Sequence, residues 1–335
     1  MAFYENLHLD KGMYGTGKSF TKVLEDLDSS ENYRGTPLEH LDAYQRQLKR
    51  FDIHVNGTGS DRVEKFFQTG DSAALFPEYV CRAVRQGMEQ ENLLPNLVAT
   101  VTNVEGLDYR TIVSAPLEDE KRLKRVAEGA AIPQTVVRTQ DHLVHLHKRG
   151  RMLVASYEAL RFQHLDLFTV TLRQIGAYIA RTQMGDAVSV LLSGDDGTDK
   201  AEEINAGGAL SYSALLSLWG KLSPYRMNGL LGGTAAVQKV LGLAEMRDAQ
   251  AGLNFQGTGT LVAPMGAQLL HVTDVPDQKL IGIDRTCALE MVQAGDVQTE
   301  YDKLIDRQLE RAAISTTAGF TKIFSGAVKV LSYTA

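Results

Sequence analysis

The sequence has few cysteines, no excess of basic residues and no long apolar run. Its two cysteines, Cys81 and Cys287, lie far apart, which excludes a disulfide scaffold or a multi-cysteine zinc site and suits a reducing compartment. No run approaches the roughly 18 apolar residues of a membrane span, so we expect no membrane contact. The 35 Lys and Arg are outnumbered by 41 Asp and Glu, for a net charge of −6. Such a chain cannot hold nucleic acid through a general basic surface.

What is present is the composition of a globular protein, with 44% hydrophobic and 23% charged residues. A chain of 335 residues predicts about two domains. At this length, folding buries about 75% of the unfolded surface. The composition therefore excludes disorder over the whole length.

The pattern along the chain predicts helices first and then a mixture of helix and strand. Short helices are expected over Phe20–Leu27 and over Pro37–Arg50, the second with Thr36 as its N-cap. Longer helices are expected over Glu78–Met88 and over Asp166–Leu192. The mixture of short strands and helices that follows predicts a compact α+β region.

Two β-prone stretches, Leu107–Ser114 and Thr135–Leu146, flank a polar tip and predict a long two-stranded arm. An isolated pair of strands is marginally stable in water, so the arm needs a surface outside itself to lie on. At the tip an acidic triplet precedes a basic segment, and charges of this kind would match complementary charges on another copy, head to tail. A solvated hairpin tip is the alternative. The proposed contact residues are Glu118, Asp119, Glu120, Lys121, Arg122, Lys124 and Arg125.

A phosphate-binding pattern, G-x-x-x-x-G-K-[ST], is matched by Gly12, Gly17, Lys18 and Ser19. A working loop needs a buried strand that runs into its first glycine, yet the preceding Asn6–Lys11 segment is polar. No alternation of strands and helices follows it. We therefore interpret the match as chance and predict no cofactor. ATP or GTP binding that is lost in Lys18→Ala would instead identify a nucleotide-binding protein.

Metal and catalytic chemistry have little support in the sequence. His142, His145 and His147 lie in one stretch, but no cysteine or second carboxylate cluster accompanies them in sequence, so no metal site is predicted. The pair Asp195 and Asp196 lies in a glycine-rich loop, where turn formation is the ordinary role. No Gly-x-Ser-x-Gly motif is present, and no catalytic residue is predicted.

The order of these parts resembles the major capsid proteins of tailed bacteriophages with the Hong Kong 97-type fold, over about Thr69–Ala335. Several short landmarks carry the resemblance through their order and spacing. They are Asp71–Pro77, Tyr109–Ile112, Val126–Pro133, Arg149–Leu160, Asp166–Gly197, Leu230–Leu241, Pro264–Gly266, Ile283 and the last strands.

The resemblance implies an α+β Hong Kong 97-like capsid fold with an N-arm, an extended two-stranded loop, a long spine helix, a peripheral domain and an axial domain. Residues 1–68 would precede it as a retained N-terminal extension, which we expect to wrap along the spine helix or a neighbour's arm. The implied parts are the N-arm and first strands at 69–106, the extended loop at 107–147, the spine helix and peripheral domain at 148–197 with 291–320, and the axial domain at 198–290 with 321–335.

The function implied by the resemblance is structural. Copies would assemble as hexamers and pentamers into the icosahedral head shell of the virion, in the host cytoplasm, around a double-stranded DNA genome held without sequence preference. Portal and scaffolding proteins and a decoration protein are the further implied partners. An encapsulin-like nanocompartment shell is the alternative with the same fold.

One departure from the family bears on how the shell is held together. Some members cross-link a loop lysine to an asparagine on a neighbour, and Lys121 and Lys124 could serve as donors here. The segment Met291–Ala335 contains no asparagine, however. A shell without covalent cross-links is therefore expected.

Overall fold

The computed structural model describes residues 4–16, 18–113, 125–130, 132, 138–156, 162–197, 199–247, 258–260, 265–295, 297–304 and 309–334. The chain forms two compact units, and each is assembled from three separate stretches. The first unit contains Met1–Asn92, Arg149–Ala180 and Val297–Thr316. The second unit contains Leu93–Lys148, Arg181–Asp296 and Thr317–Ala335.

The helices of the described residues range from one turn to 29 residues. They are α1 (Phe20–Leu27), α2 (Ala43–Arg50), α3 (Gly70–Ala73), α4 (Phe76–Glu91), α5 (Leu165–Ser193), α6 (Tyr212–Leu222), α7 (Thr234–Gly242) and α8 (Ala244–Arg247). Within the described residues, none of these helices has the length and apolarity needed to cross a membrane.

The strands are mostly short, with one of 14 residues near the carboxyl end of the chain. They are β1 (Thr100–Val104), β2 (Ile112–Val113), β3 (Arg138–Thr139), β4 (His147–Ser156), β5 (Glu202–Ala209), β6 (Gly229–Gly232), β7 (Gln268–His271), β8 (Lys279–Ile283), β9 (Leu289–Ala294), β10 (Gln298–Leu304), β11 (Leu309–Lys322) and β12 (Val328–Thr334).

In the first unit, α4 and the first half of α5 cross at two glycines. A Cβ at Gly87 would overlap the backbone carbonyl of Arg173, and a Cβ at Gly176 would overlap the carbonyl of Val84. The two helix backbones therefore touch, which any larger side chain would prevent. Beside the crossing, the hydroxyl of Tyr79 donates to the carbonyl oxygen of Leu165 at 2.7 Å.

The amino-terminal residues belong to the core of the first unit. Phe20, Leu24, Tyr44 and Phe66 are buried in the same apolar cluster as α4 and the first half of α5. The fully buried guanidinium of Arg46 pairs with Asp28 at 3.0 Å and also donates to the carbonyl oxygens of Asp28 and Leu41. The described part of residues 1–68 thus contributes to the core of its own unit.

The second unit contains a five-stranded sheet in the order β5-β12-β8-β6-β7. Alternate residues of its central strand face opposite sides, as a strand requires. Leu280 packs in the cluster formed by α6 and α7, whereas Ile281 and Ile283 pack in a second cluster with the last half of α5. The sheet is thus covered by helices on both faces.

The predicted helices are largely confirmed, whereas the start of α2 and the extent of the arm strands differ from the predictions. The helix α1 has the predicted bounds, and α5 extends one residue beyond them at each end. The helix predicted from Pro37 begins only at Ala43, because Asp42 and Gln45 form a capping box there and so provide the better start. The stretches Leu107–Ser114 and Thr135–Leu146, predicted as the two strands of the arm, are strand within the described residues only at Ile112–Val113 and Arg138–Thr139.

The glycine crossing makes the first unit sensitive to a single methyl group. Gly176→Ala places its Cβ against the Val84 carbonyl, so the helices must separate, and we expect a loss of about 3 kcal/mol of unfolding free energy. Denaturant unfolding followed by circular dichroism measures it. The control is Gly220→Ala in α6, where no atom lies within 4 Å of the added Cβ. An alanine there should be neutral or stabilising by about 0.5–1 kcal/mol, and an equal loss in both variants would contradict the account.

The position of the amino-terminal residues leads to a second prediction. A chain that begins at Thr69 loses the buried Phe20, Leu24, Tyr44 and Phe66, which exposes the apolar surface of α4. We expect this truncated chain to be insoluble or to lack cooperative unfolding, as measured by soluble yield and thermal denaturation. A soluble truncated chain that assembles normally would show that residues 1–68 are dispensable.

Candidate assembly site

The part of the chain predicted as an extended loop begins and ends within the second unit, and its base is the best-defined polar site there. The loop leaves after β1 and returns before β4. At its base, β2 pairs antiparallel with β3, so that Ile112 lies opposite Thr139. Two backbone hydrogen bonds continue this pairing, from the Gln140 amide to the Thr111 carbonyl and from the Val144 amide to the Tyr109 carbonyl, both at 2.9 Å.

A buried carboxylate holds the outgoing side of the loop. Glu290 of β9 is only 4% exposed. It accepts hydrogen bonds from the hydroxyls of Thr102 at 2.5 Å, of Tyr109 at 2.8 Å and of Thr111. Burying a charged carboxylate is costly unless it is hydrogen-bonded. The three hydroxyls satisfy the Glu290 carboxylate, and the carboxylate in turn fixes the positions of the hydroxyls.

The surroundings of Tyr109 reflect this arrangement. Burial and the hydrogen bond to the Glu290 carboxylate both raise the pKa of the Tyr109 phenol above its usual range. The phenol therefore stays protonated, and remains a donor, under all ordinary conditions.

A glycine allows the returning side of the loop to approach the sheet. A Cβ at Gly319 of β11 would overlap the carbonyl oxygen of His145 and crowd the side chain of Leu146. The hydroxyl of Thr321, two residues along the same strand, lies 3.5 Å from Oε1 of Gln140. The returning segment thus lies directly on β11.

A cluster of titratable groups lies beside this returning segment. His142 Nε2 is 2.9 Å from Asp195 Oδ1, and His142 Nδ1 is 3.7 Å from Asp196 Oδ2. Both aspartates follow Gly194, which ends α5 with a φ of +84°. A positive φ at the residue after a helix is the usual role of glycine.

A buried lysine lies near the same cluster. The Lys322 side chain is 3% exposed, and its ammonium group donates to the carbonyl oxygen of Asp199 and lies 3.6 Å from the Asp199 carboxylate. Burial lowers the pKa of Lys322, which Asp199 and, more weakly, Asp195 partly offset. The turn after α5 is therefore joined to β11 as well as to the loop.

Most of the tip residues proposed as a contact with another copy lie outside the described residues, since Glu118, Asp119, Glu120, Lys121, Arg122 and Lys124 fall between residues 113 and 125. Arg125 is described and exposed. The contact therefore stays a prediction.

The residues of the phosphate-binding pattern have other partners. The Gly12 amide donates to Asp10 Oδ1, the Lys18 ammonium pairs with Asp26 at 2.5 Å, and the Ser19 hydroxyl caps α1. Gly17 lies outside the described residues. No strand occurs in residues 4–16 and 18–99, so the strand that such a loop requires is missing from this part of the chain.

Sequence reasoning missed both polar clusters at the loop base. The sequence places no carboxylate cluster beside the histidines, whereas in the structure Asp195, 53 positions away, folds against His142. A signal for Glu290 was available, since it is a charged residue inside the apolar run Leu289–Val292. Its hydroxyl partners could not be identified from sequence, because they lie about 180 positions away.

Comparisons with known proteins agree with this fold. Residues 139–284, from β3 to just beyond β8, match the family model described as "Phage capsid protein". No curated protein sequence matches the chain.

Three solved structures share the fold, at low sequence identity. The virus-like particle from Pyrococcus furiosus aligns with a TM-score of 0.50 and 15% identity over 76% of this chain and 98% of that one. The capsid of the native GTA particle gives 0.52 and 19%, over 75% and 91% of the two chains. The capsid of the empty GTA particle gives 0.53 and 20%, over 72% and 89%.

The fold is therefore Hong Kong 97-like, as the resemblance implied. The match of residues 139–284 to the phage capsid family model agrees with the resemblance to major capsid proteins of the phage type.

The Glu290 cluster leads to a prediction about the loop base. Glu290→Ala removes the acceptor of three hydroxyls, and a hydrogen bond to a charged group contributes about 1.5–3 kcal/mol. Because a loss of about 1.5 kcal/mol corresponds to at least about a tenfold change, we expect the amides of Gln140 and Val144 to exchange their hydrogens at least about tenfold faster. Hydrogen-exchange mass spectrometry measures this, with Glu300→Ala, an exposed carboxylate of β10, as the control. Unchanged exchange at both amides would show that Glu290 does not hold the loop.

Proposed function

We propose that the protein is the structural major capsid protein of a phage, whose copies assemble as hexamers and pentamers into a closed icosahedral shell around a double-stranded DNA genome. The observation that carries this proposal is the phage capsid family match over residues 139–284 in a chain with a capsid-shell fold. The shell is built in the host cytoplasm and becomes part of the virion. The protein acts mechanically and catalyses no reaction.

The loop base is suited to this role. An extended arm can reach a neighbouring copy only if its direction is fixed where it leaves the body. Here the outgoing side is held by Glu290 and the returning side lies on β11 at Gly319. The arm therefore leaves from a rigid base, and its own marginal stability is compensated where it lies on the next copy.

The charged tip then sets the position of the arm on the neighbour. Its acidic and basic residues, Glu118–Arg125, would face opposite charges in a head-to-tail contact. Such contacts form a ring when the rotation between successive copies adds up to a full turn. Many such contacts, each weak, let errors be corrected during growth while the closed shell persists.

The remaining partners follow from the family and the charge. Portal and scaffolding proteins, and a decoration protein, would contact the shell at assembly or afterwards. The net charge of −6 gives the packaged DNA no general basic surface to adhere to, which suits a genome that must enter and leave. The absence of asparagine from Met291–Ala335 favours a shell held without covalent cross-links.

Assembly should depend on the charges of the tip. Reversing Lys121 and Lys124 to Glu should lower the yield of shells, because the contact loses its attraction. Raising the ionic strength from about 0.15 M to 1 M should weaken wild-type assembly, since the screening length falls from about 8 Å to 3 Å. Light scattering measures the yield. The control reverses Lys200 and Lys221, both exposed, for the same change in net charge. Salt-independent assembly, or an equal loss in the control, would contradict a role for the tip.

Electron microscopy of the purified full-length protein tests the proposed function itself. We expect shells or capsomer rings, and nuclease-resistant double-stranded DNA inside native particles. Particles that enclose an enzyme and no DNA would support the encapsulin-like alternative instead. A protein that stays monomeric under every condition would contradict both.

A further inference from the structure

We infer that His142, Asp195 and Asp196 form a binding site for a transition-metal dication, of the Zn²⁺ type, at the returning side of the loop base. One ligand atom from each residue lies within 4.8 Å of the other two. The three residues come from two segments of the second unit, the loop and the turn after α5. A bound ion would therefore tie the loop to the end of that helix.

The strongest support is an oxygen atom without a partner. The side chain of Asp195 is 5% exposed, so it is more than nine-tenths buried. Its Oδ1 faces His142, whereas its Oδ2 is buried and has no hydrogen-bond partner among the residues that the structure describes. A buried carboxylate oxygen without a partner carries a large desolvation cost. A cation bound beside the carboxylate would remove that cost.

The second support is a conflict at one nitrogen atom. His142 Nε2 lies 2.6 Å from Gln140 Nε2 and 2.9 Å from Asp195 Oδ1. A neutral ring nitrogen has either one proton or one lone pair, so it cannot both accept from an amide and donate to a carboxylate. If the Gln140 amide is turned, its oxygen faces His142 instead of its nitrogen. The amide oxygen and Asp195 Oδ1 are then two acceptors for the single proton on His142 Nε2. A metal ion at Nε2 would be bound by Asp195 at the same time, and the turned amide would offer a further oxygen.

The geometry and the residue types favour a particular class of ion. Ligands at about 2.0–2.2 Å around a tetrahedral Zn²⁺ lie roughly 3.4 Å apart. The three ligand atoms lie within 4.8 Å of one another, and Asp196 now faces Nδ1 of His142, so its side chain must rotate to reach an ion at Nε2. One imidazole with two carboxylates suits Zn²⁺ or Mn²⁺, and the nitrogen ligand disfavours Ca²⁺. The nearby ammonium group of Lys322 is held by Asp199.

Titration calorimetry of the full-length protein, freed of metal with EDTA, tests the inference directly with Zn²⁺ alone. We expect one saturable site per chain that is lost in His142→Ala and weakened more than about tenfold in Asp195→Asn, since even loss of an outer-shell partner costs 10–100-fold. Mn²⁺ should bind more weakly, in keeping with the usual order of affinities, and Ca²⁺ should not compete. The matched control is His145→Ala, an exposed histidine of the same segment, which should bind as the wild type does.

A second readout keeps the test independent of any folding defect. In the wild type, Zn²⁺ should slow hydrogen exchange in residues 140–147 and leave the first unit unchanged. Asp196→Asn, which keeps the size of a side chain that is 24% exposed, should abolish this protection while the metal-free protein still unfolds cooperatively. The inference would be overturned if Zn²⁺ showed no saturable binding, or if it still bound to His142→Ala. It would also be overturned if the protection of residues 140–147 against hydrogen exchange changed with pH in the absence of metal. None of these outcomes depends on whether shells form.

Discussion

The structure depends on the cost of burying a carboxylate at the base of the predicted extended loop. Glu290 is buried inside a strand, and its carboxylate is acceptable there only because three hydroxyls donate to it. Two of these hydroxyls belong to the outgoing side of the loop. The same bonds that satisfy the charge therefore fix the direction of the arm. Under the proposed function, this direction decides which neighbouring copy the loop can reach.

Close contact between backbones supplies the rest of the rigidity, in each unit separately. In the first unit Gly87 and Gly176 let α4 and α5 touch, and the amino-terminal residues complete the core around them. In the second unit Gly319 lets the returning segment lie on β11. Such contacts tolerate no side chain, so they fix the position of an element more sharply than apolar packing alone, which tolerates some rearrangement.

The sequence predicted local structure well where a local signal decided it. The bounds of α1 and α5 followed from caps, apolar periodicity and the glycine at 194. The start of α2 was mistaken because two capping signals competed, and the pair Asp42 and Gln45 prevailed over Thr36 with Pro37. The clusters at the loop base could not be predicted, because their members meet only after folding. The resemblance to phage capsid proteins indicated the fold and the role but not these contacts.

The central claim is that a loop fixed at its base reaches from one copy to the next. The most direct test is a high-resolution electron cryomicroscopy reconstruction of the assembled shell, traced through residues 107–147. The account predicts that the tip at 118–125 lies across a neighbouring copy, with its charges facing opposite ones, while Tyr109 and Thr111 keep their bonds to Glu290. A loop that folds back on its own chain, or a base that has released Glu290, would contradict it.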